Sequence, residues 1–173
     1  MIYQTGDIIL YKNLKDSSLK WLFGELVKLI TDGEYVHSAI YLGRHDKFGY
    51  IIAESVASGF LIRVHNDLGQ TILRYKDGLN NKQKDQIIYR CLAMSGYSYG
   101  YFDLIKILFY KITGAYLFPS TVKQLTCSEA ITRVYKHISI DLSYHTDNDL
   151  VTPNDLYQSP QLKNPNLKTL DST

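Results

Sequence analysis

Four strand-like runs follow one another between Tyr35 and Tyr75, and nearly everything after Asn80 reads as helix or loop. That ordering constrains the fold more than any other feature. Strands close in sequence pair antiparallel, and the later helices must then cover a face of the sheet they make. The first run, Tyr35 to Gly43, is β-branched and aromatic. His37, Ala39 and Tyr41 fall on one face of it, and Val36, Ser38, Ile40 and Leu42 on the other. The polar loop Arg44-His45-Asp46-Lys47 leads to a second run, Tyr50 to Val56. Ser58-Gly59 turns the chain into a third, Phe60 to His65, and Gln70 to Tyr75 is a fourth. Ahead of them, Gly6-Asp7 opens Ile8 to Tyr11, a short apolar run that reads as a buried strand. The expected class is α+β: a small antiparallel β-barrel or sheet packed against helices.

Helical spacing marks the remaining segments. Asp16-Ser17-Ser18 is a start signal, Leu19, Leu22, Phe23, Leu26, Val27 and Ile30 form an apolar face, and Asp32-Gly33 stops the run. Asn80 to Met94 reads as a helix with Ile87, Ile88, Cys91 and Leu92 as its stripe, and Phe102 to Ile112 as a more apolar one. A last helix opens at Cys127, with Ala130, Ile131, Val134 and Tyr135 facing the core. The tail after Pro153, rich in Pro, Asn, Ser and Lys, reads as a surface wrap that frays at its end and is extended from about residue 158. One domain over 1–173 is expected, since 173 residues suffice for a core of its own.

Charge excludes one class of partner. A net charge of +2, from scattered Lys and Arg, gives no basic patch of the kind that binds nucleic acid. The opening Met1 to Asp7 lacks the basic and apolar regions of a signal peptide, and no stretch reaches the roughly twenty apolar residues of a membrane span. A cytoplasmic protein is expected. Phe102 to Phe118 is strongly apolar and carries Lys106 and Lys111; contact with a membrane surface is one reading, and a core helix plus loop is the favoured one.

The chemistry centres on Leu125-Thr126-Cys127-Ser128-Glu129-Ala130. Thr126 followed three residues later by Glu129 is a capping box, which places Cys127 at the first helical position. Unpaired N–H groups and the positive end of the helix dipole gather there and favour thiolate, the nucleophilic form. Cys91 is the rival thiol, but it lies within an apolar stripe, where cysteines are usually inert. A thiol nucleophile needs a base and a group that orients the base. His37 lies mid-strand, where a packed core histidine is the plainer reading. Glu54 also lies mid-strand, and a hairpin closed by Arg44 to Lys47 would set it about opposite His37 on the same face. His45 and His65 sit in or beside loops, and His137 and His145 follow the last helix as solvated residues, His137 being also a candidate C-terminal helix charge. The two cysteines are far apart, with no zinc spacing, phosphate loop or metal-type His pair, so no metal or organic cofactor is implied.

Taken together, Gly6-Asp7-Ile8-Ile9, Val36-His37-Ser38-Ala39-Ile40-Tyr41-Leu42-Gly43, Ala53-Glu54-Ser55 and Thr126-Cys127-Ser128-Glu129-Ala130 resemble the circularly permuted papain-like branch of the NlpC/P60 superfamily, with the YiiX/YaeF-type amidases as the nearest group. Tyr97 to Asp103 and Thr152-Pro153-Asn154-Asp155-Leu156 look like further family segments. The order matches as well, since here His37 precedes Cys127, as in the permuted branch. The resemblance implies Cys127 as nucleophile, His37 as base and Glu54 as the third member of a triad. Related acyltransferases of the lecithin–retinol type carry Asn-Cys-Glu-His where this chain has Thr-Cys-Ser-Glu, a departure that points away from them. The expected function is a cysteine hydrolase of an amide or peptide bond working through an acyl-enzyme, with the Cys127 backbone N–H as oxyanion donor. The rivals are a lipid acyl hydrolase or acyltransferase using the same triad on an ester or thioester, and a binding module without turnover.

Overall fold

The computed structural model describes residues 3–12, 33–68, 71–100, 107, 109–110, 112–115, 124–143 and 150–166. Its centre is one open sheet. Strands β1 (Ile8–Tyr11), β2 (His37–His45), β3 (Gly49–Val56), β4 (Gly59–His65) and β5 (Thr71–Tyr75) are joined by a late strand, β8 (Leu162–Lys163). The spatial order is β4-β3-β2-β1-β5-β8, every neighbour antiparallel. Helix α1 (Asn81–Met94) follows β5. A short parallel pair, β6 (Ser98–Tyr99) with β7 (Gln124–Leu125), then leads into α2 (Cys127–His137). Helix α3 (Pro153–Gln158) and β8 (Leu162–Lys163) complete the order.

The sheet's alternation divides its side chains between two cores. Ile8, Leu10, Ile40, Leu42 and Ala53 meet the helices, with Ile87, Cys91 and Met94 from α1 and Ala130, Ile131, Val134 and Tyr135 from α2. Ile9, Ala39, Tyr41 and Ile52 gather on the other face with Leu68, edged by Tyr3, Tyr11 and Tyr50. Helix α2 is buried on almost all sides because it packs on β2 and β3 and touches both α1 and α3. Its Tyr135 hydroxyl donates to the Gly6 carbonyl and so ties the helix to the turn before β1. Gly6 has φ of +94°, and a Cβ there would meet Leu79 and Ile87, so only glycine suits this turn.

Several expectations need correction. Of the barrel or sheet expected, the described residues form the sheet, open and antiparallel, and no closed barrel. β2 starts at His37, later than Tyr35, and runs on to His45, so only Asp46 to Phe48 form the turn. Leu92 is exposed and Met94 takes its place in the buried stripe of α1. The tail is less of a wrap than its composition suggests. A capping box between Thr152 and Asp155, with Pro153 at the first turn, starts α3, and Pro153, Asn154 and Leu156 are buried. β8 then pairs with β5, Leu162 opposite Tyr75. The helix read over Leu19 to Ile30 lies outside the described residues. Of Phe102 to Ile112 only Ile107, Phe109, Tyr110 and Ile112 are described, all helical. Among the described residues no helix is long and apolar enough to cross a membrane.

Candidate active site

The capping box read from the sequence is formed. Thr126 Oγ1 accepts from the Glu129 N–H at 3.3 Å, and a Glu129 carboxylate oxygen accepts from the Thr126 N–H, also at 3.3 Å. Cys127 is therefore the first residue of α2. The approach to it is pinned by β3: Ser55 Oγ donates to the Leu125 carbonyl at 2.6 Å, both residues being buried. Neighbouring Glu54 points to the opposite face of the same strand. One strand thus anchors the turn that carries the sulfur and supplies the carboxylate of the site.

A β-bulge makes this arrangement work. At the hairpin end, His45 pairs with Gly49 and Gly43 with Ile51. Continued unchanged, that register would set Ala39 opposite Ser55 and leave Glu54 on the face away from His37. Between Tyr41 and Gly43 the register shifts by one, so that Ala39 stands opposite Glu54. A one-residue slip moves side chains to the other face, and here it brings Glu54 to the side of His37. The bulge is held from the N-terminal segment, where Thr5 Oγ1 donates to the Leu42 carbonyl at 3.0 Å and the Gly6 N–H to the Tyr41 carbonyl at 2.8 Å. Glu54 is a diagonal neighbour of His37 and not directly opposite it, as the loop Arg44 to Lys47 had suggested.

His37, Glu54 and Cys127 come together with exposures of 7%, 5% and 7%. His37 Nε2 lies 2.8 Å from Glu54 Oε2, and its ring is flanked by that of Tyr11 at 5.5 Å between centroids. The imidazole and the Cys127 sulfur are in apposition, and each favours the charged form of the other. Burial works against an imidazolium at His37, but Cys127 and then Glu54 outweigh it and raise the pKa to about 10. Burial likewise works against a thiolate at Cys127. His37, with the hydroxyls of Ser38 and Ser128, overcomes it and lowers the pKa to about 7. Ser128 Oγ is 3.8 Å from the sulfur. The buried Ser38 hydroxyl has no partner of regular hydrogen-bond geometry and acts through proximity. Both shifts run the same way, favouring thiolate with imidazolium over thiol with neutral imidazole. Burial also disfavours charge on Glu54, yet His37, His65 and Arg63 hold its carboxyl below the usual range.

The other candidates fall elsewhere. Cys91 is fully buried in α1, and burial pushes its thiol up to about 12. His45 Nδ1 accepts from the Lys47 N–H at the hairpin turn, with its ring 4.6 Å from that of Phe48. His137 is exposed in the last turn of α2, far from the site. His145 lies outside the described residues. His65, beside a loop in the sequence, ends β4 and reaches Glu54 Oε1 at 3.3 Å; Arg63 reaches the same oxygen at 3.8 Å. Their two-residue spacing, which puts both on one strand face, was the signal available for them. Ser38, Ser55 and Ser128 left no such signal, because a serine beside a strand or helix start is commonplace.

No family model and no curated protein matches the sequence. Among solved structures, the crystal structure of the metalloprotein YiiX from Escherichia coli O157:H7, described also as DUF1105, aligns over 92% of this chain and 94% of that one. The TM-score is 0.61 and the identity 16%. The likeness is one of fold: this chain is α+β, with a six-stranded antiparallel sheet, and is similar in fold to YiiX. The word metalloprotein belongs to that neighbour. Among the described residues here, no group of three or more His, Cys, Asp or Glu is set to hold a metal ion. Glu54 instead joins His37 and His65 by direct contacts. These residues do not fit a metal.

Proposed function

We propose that this chain is a cysteine hydrolase of an amide or peptide bond, with Cys127, His37 and Glu54 as its triad on a permuted papain-like scaffold. The observation that supports it most is the apposition of a thiolate-favouring Cys127, at the start of a capped helix, with an imidazole whose far nitrogen is held by a carboxylate. In the resting pair the Cys127 proton sits on His37. The thiolate attacks the carbonyl carbon, a C–S bond forms, and the carbonyl oxygen becomes an oxyanion facing the Cys127 backbone N–H. Collapse breaks the C–N bond as His37 gives its proton to the departing amine. Water then adds to the thioester with His37 as base, releasing the acid and the free thiol. Glu54 keeps the ring oriented and supports its positive charge throughout.

A second reading uses the same triad on the ester or thioester of an acyl lipid. Phe109 and Ile112, 36% and 74% exposed on the apolar helical segment, favour it. Flotation with phospholipid vesicles separates the two, since a soluble amide hydrolase stays unbound.

Iodoacetamide tests the dyad. Cys127 should be labelled at neutral pH far faster than Cys91, and His37→Ala should remove most of that advantage. Equal labelling of Cys127 in His37→Ala and in the parent chain would end the proposal.

A further inference from the structure

The two carboxylate oxygens of Glu54 face different partners. Oε2 meets His37 inside the site at 2.8 Å. Oε1 faces β4, meeting His65 Nε2 at 3.3 Å and Arg63 Nη1 at 3.8 Å. A carboxylate as buried as this one must have its charge compensated, or it takes up a proton. A protonated Glu54 would still hydrogen-bond to His37 but would no longer favour the imidazolium. β4 supplies the compensation from the same sheet face, because Arg63 pairs with Ile52 and His65 with Tyr50 in the ladder. Arg63 is steadied in turn by Ser58 Oγ at 3.3 Å.

We infer that His65, assisted by Arg63, is a positioning residue that fixes the plane of the Glu54 carboxylate and keeps it ionised. The inference rests on the thiol reading of the site and extends the triad to a chain of four: Cys127, His37, Glu54 and His65. His65 acts only through Glu54. The titratable and charged groups facing that carboxylate are His37 from β2 and Arg63 and His65 from β4, while Cys127 from α2 lies beyond His37. Its place suits the role. β4 is an edge strand, and the His65 side chain is 32% exposed, so the residue can be changed without disturbing either core.

The test is the pH dependence of Cys127 alkylation by iodoacetamide, read by mass spectrometry. In the parent chain the rate should rise through pH about 7. His65→Leu should move the midpoint upward by about half a unit, a threefold loss of rate on the rising limb. His65→Gln, whose amide can still donate to Oε1, should recover most of the shift. In a Glu54→Gln background, His65→Leu should add nothing further, because the path runs through the carboxylate. Arg63→Gln, at a side chain 43% exposed, should shift the midpoint the same way by less, and keeps the idea testable if His65→Leu fails to fold. An unchanged profile in His65→Leu or, should that variant not fold, in Arg63→Gln would overturn the inference, as would an equal shift with and without Glu54. A parent Cys127 titrating near the ordinary 9.0 would instead overturn the thiol reading on which it rests.

Discussion

Replacing Asn154 with alanine should loosen the strand that carries His37, although the two residues lie at opposite ends of the chain. The first turn of α3 sets the Asn154 amide against the backbone of Tyr35. Its Oδ1 accepts from the Tyr35 N–H at 3.2 Å and its Nδ2 donates to the Tyr35 carbonyl at 3.1 Å. Tyr35 is 4% exposed, so the alanine variant would leave a donor and an acceptor without their protein partner in a nearly dry place. Each buried orphan costs about 1–3 kcal/mol, and partial relief by water or backbone shift puts the sum at about 2–4 kcal/mol. For a chain of this size that corresponds to a melting point lower by roughly 5–12 °C. Thermal unfolding followed by circular dichroism measures it, with Cys127 alkylation reporting whether the site loosens as well. Gly33→Ala approaches the same contact from the other side, since a Cβ there would lie 2.1 Å from the amide carbon of Asn154. It should cost a similar amount, and the double variant should lose less than the sum because both break one clamp. A melting point for Asn154→Ala within about 1 °C of the parent would refute the reasoning.

The site pair makes a signed prediction for stability against pH. Unfolded, His37 and Cys127 titrate near 6.5 and 9.0, whereas folded they stand at about 10 and about 7. The His37 contribution is therefore lost as pH rises toward 10, and the Cys127 contribution is lost as pH falls toward 7. Between pH 7 and 9 both states hold one proton on the pair, so its share stays flat there, having fallen slightly from 6.5 to 7, and declines again above 9. Stepped-pH denaturation of the parent minus a Cys127→Ala/His37→Ala double variant checks this, and a steady slope from 7 to 9 would contradict it. Cys91→Ala should leave one iodoacetamide adduct per chain at neutral pH and Cys127→Ala none; adducts that follow Cys91 would reverse the assignment. Arg74→Met should strand the Asp7 carboxylate, 2% exposed and held by Arg74 through bonds of 2.8 and 2.7 Å, and lower stability by about 3 kcal/mol. A loss below about 1 kcal/mol in urea titration would show that water compensates the pair.

Local patterns in the sequence announced the pieces of the site, and long-range register decided how they meet. Thr126 and Glu129 spell a capping box, so the place of Cys127 on α2 was legible from four consecutive residues. The alternation from Val36 to Leu42 marked β2 and the side on which His37 lies. The shared face of His37 and Glu54 follows from strand alternation only in part. The turn is shorter and later than its polar residues suggest, and the bulge near Leu42 restores the parity that the true turn would have broken. Nothing local encodes that bulge, because it is held by Thr5 and Gly6 from another strand's approach. Helix α3 carries a local start signal of the same kind, Thr152 and Asp155 with Pro153 between them, but its place in the core was not local. Its composition suits a surface tail, and only the contacts of Asn154 and Leu156 with the body of the protein make it part of the core. Leu92 shows the reverse error, an apolar residue that helical periodicity assigned inward and the packing left exposed.

Intact-mass analysis of the chain after brief incubation with a pool of amide, ester and thioester substrates tests the central claim most directly. A mass increase equal to one acyl group, mapped to Cys127, absent in Cys127→Ala and slowed in His37→Ala, is the predicted result. A parent chain that gains no Cys127-dependent acyl mass from any member of the pool would contradict the hydrolase reading and leave a binding module in its place.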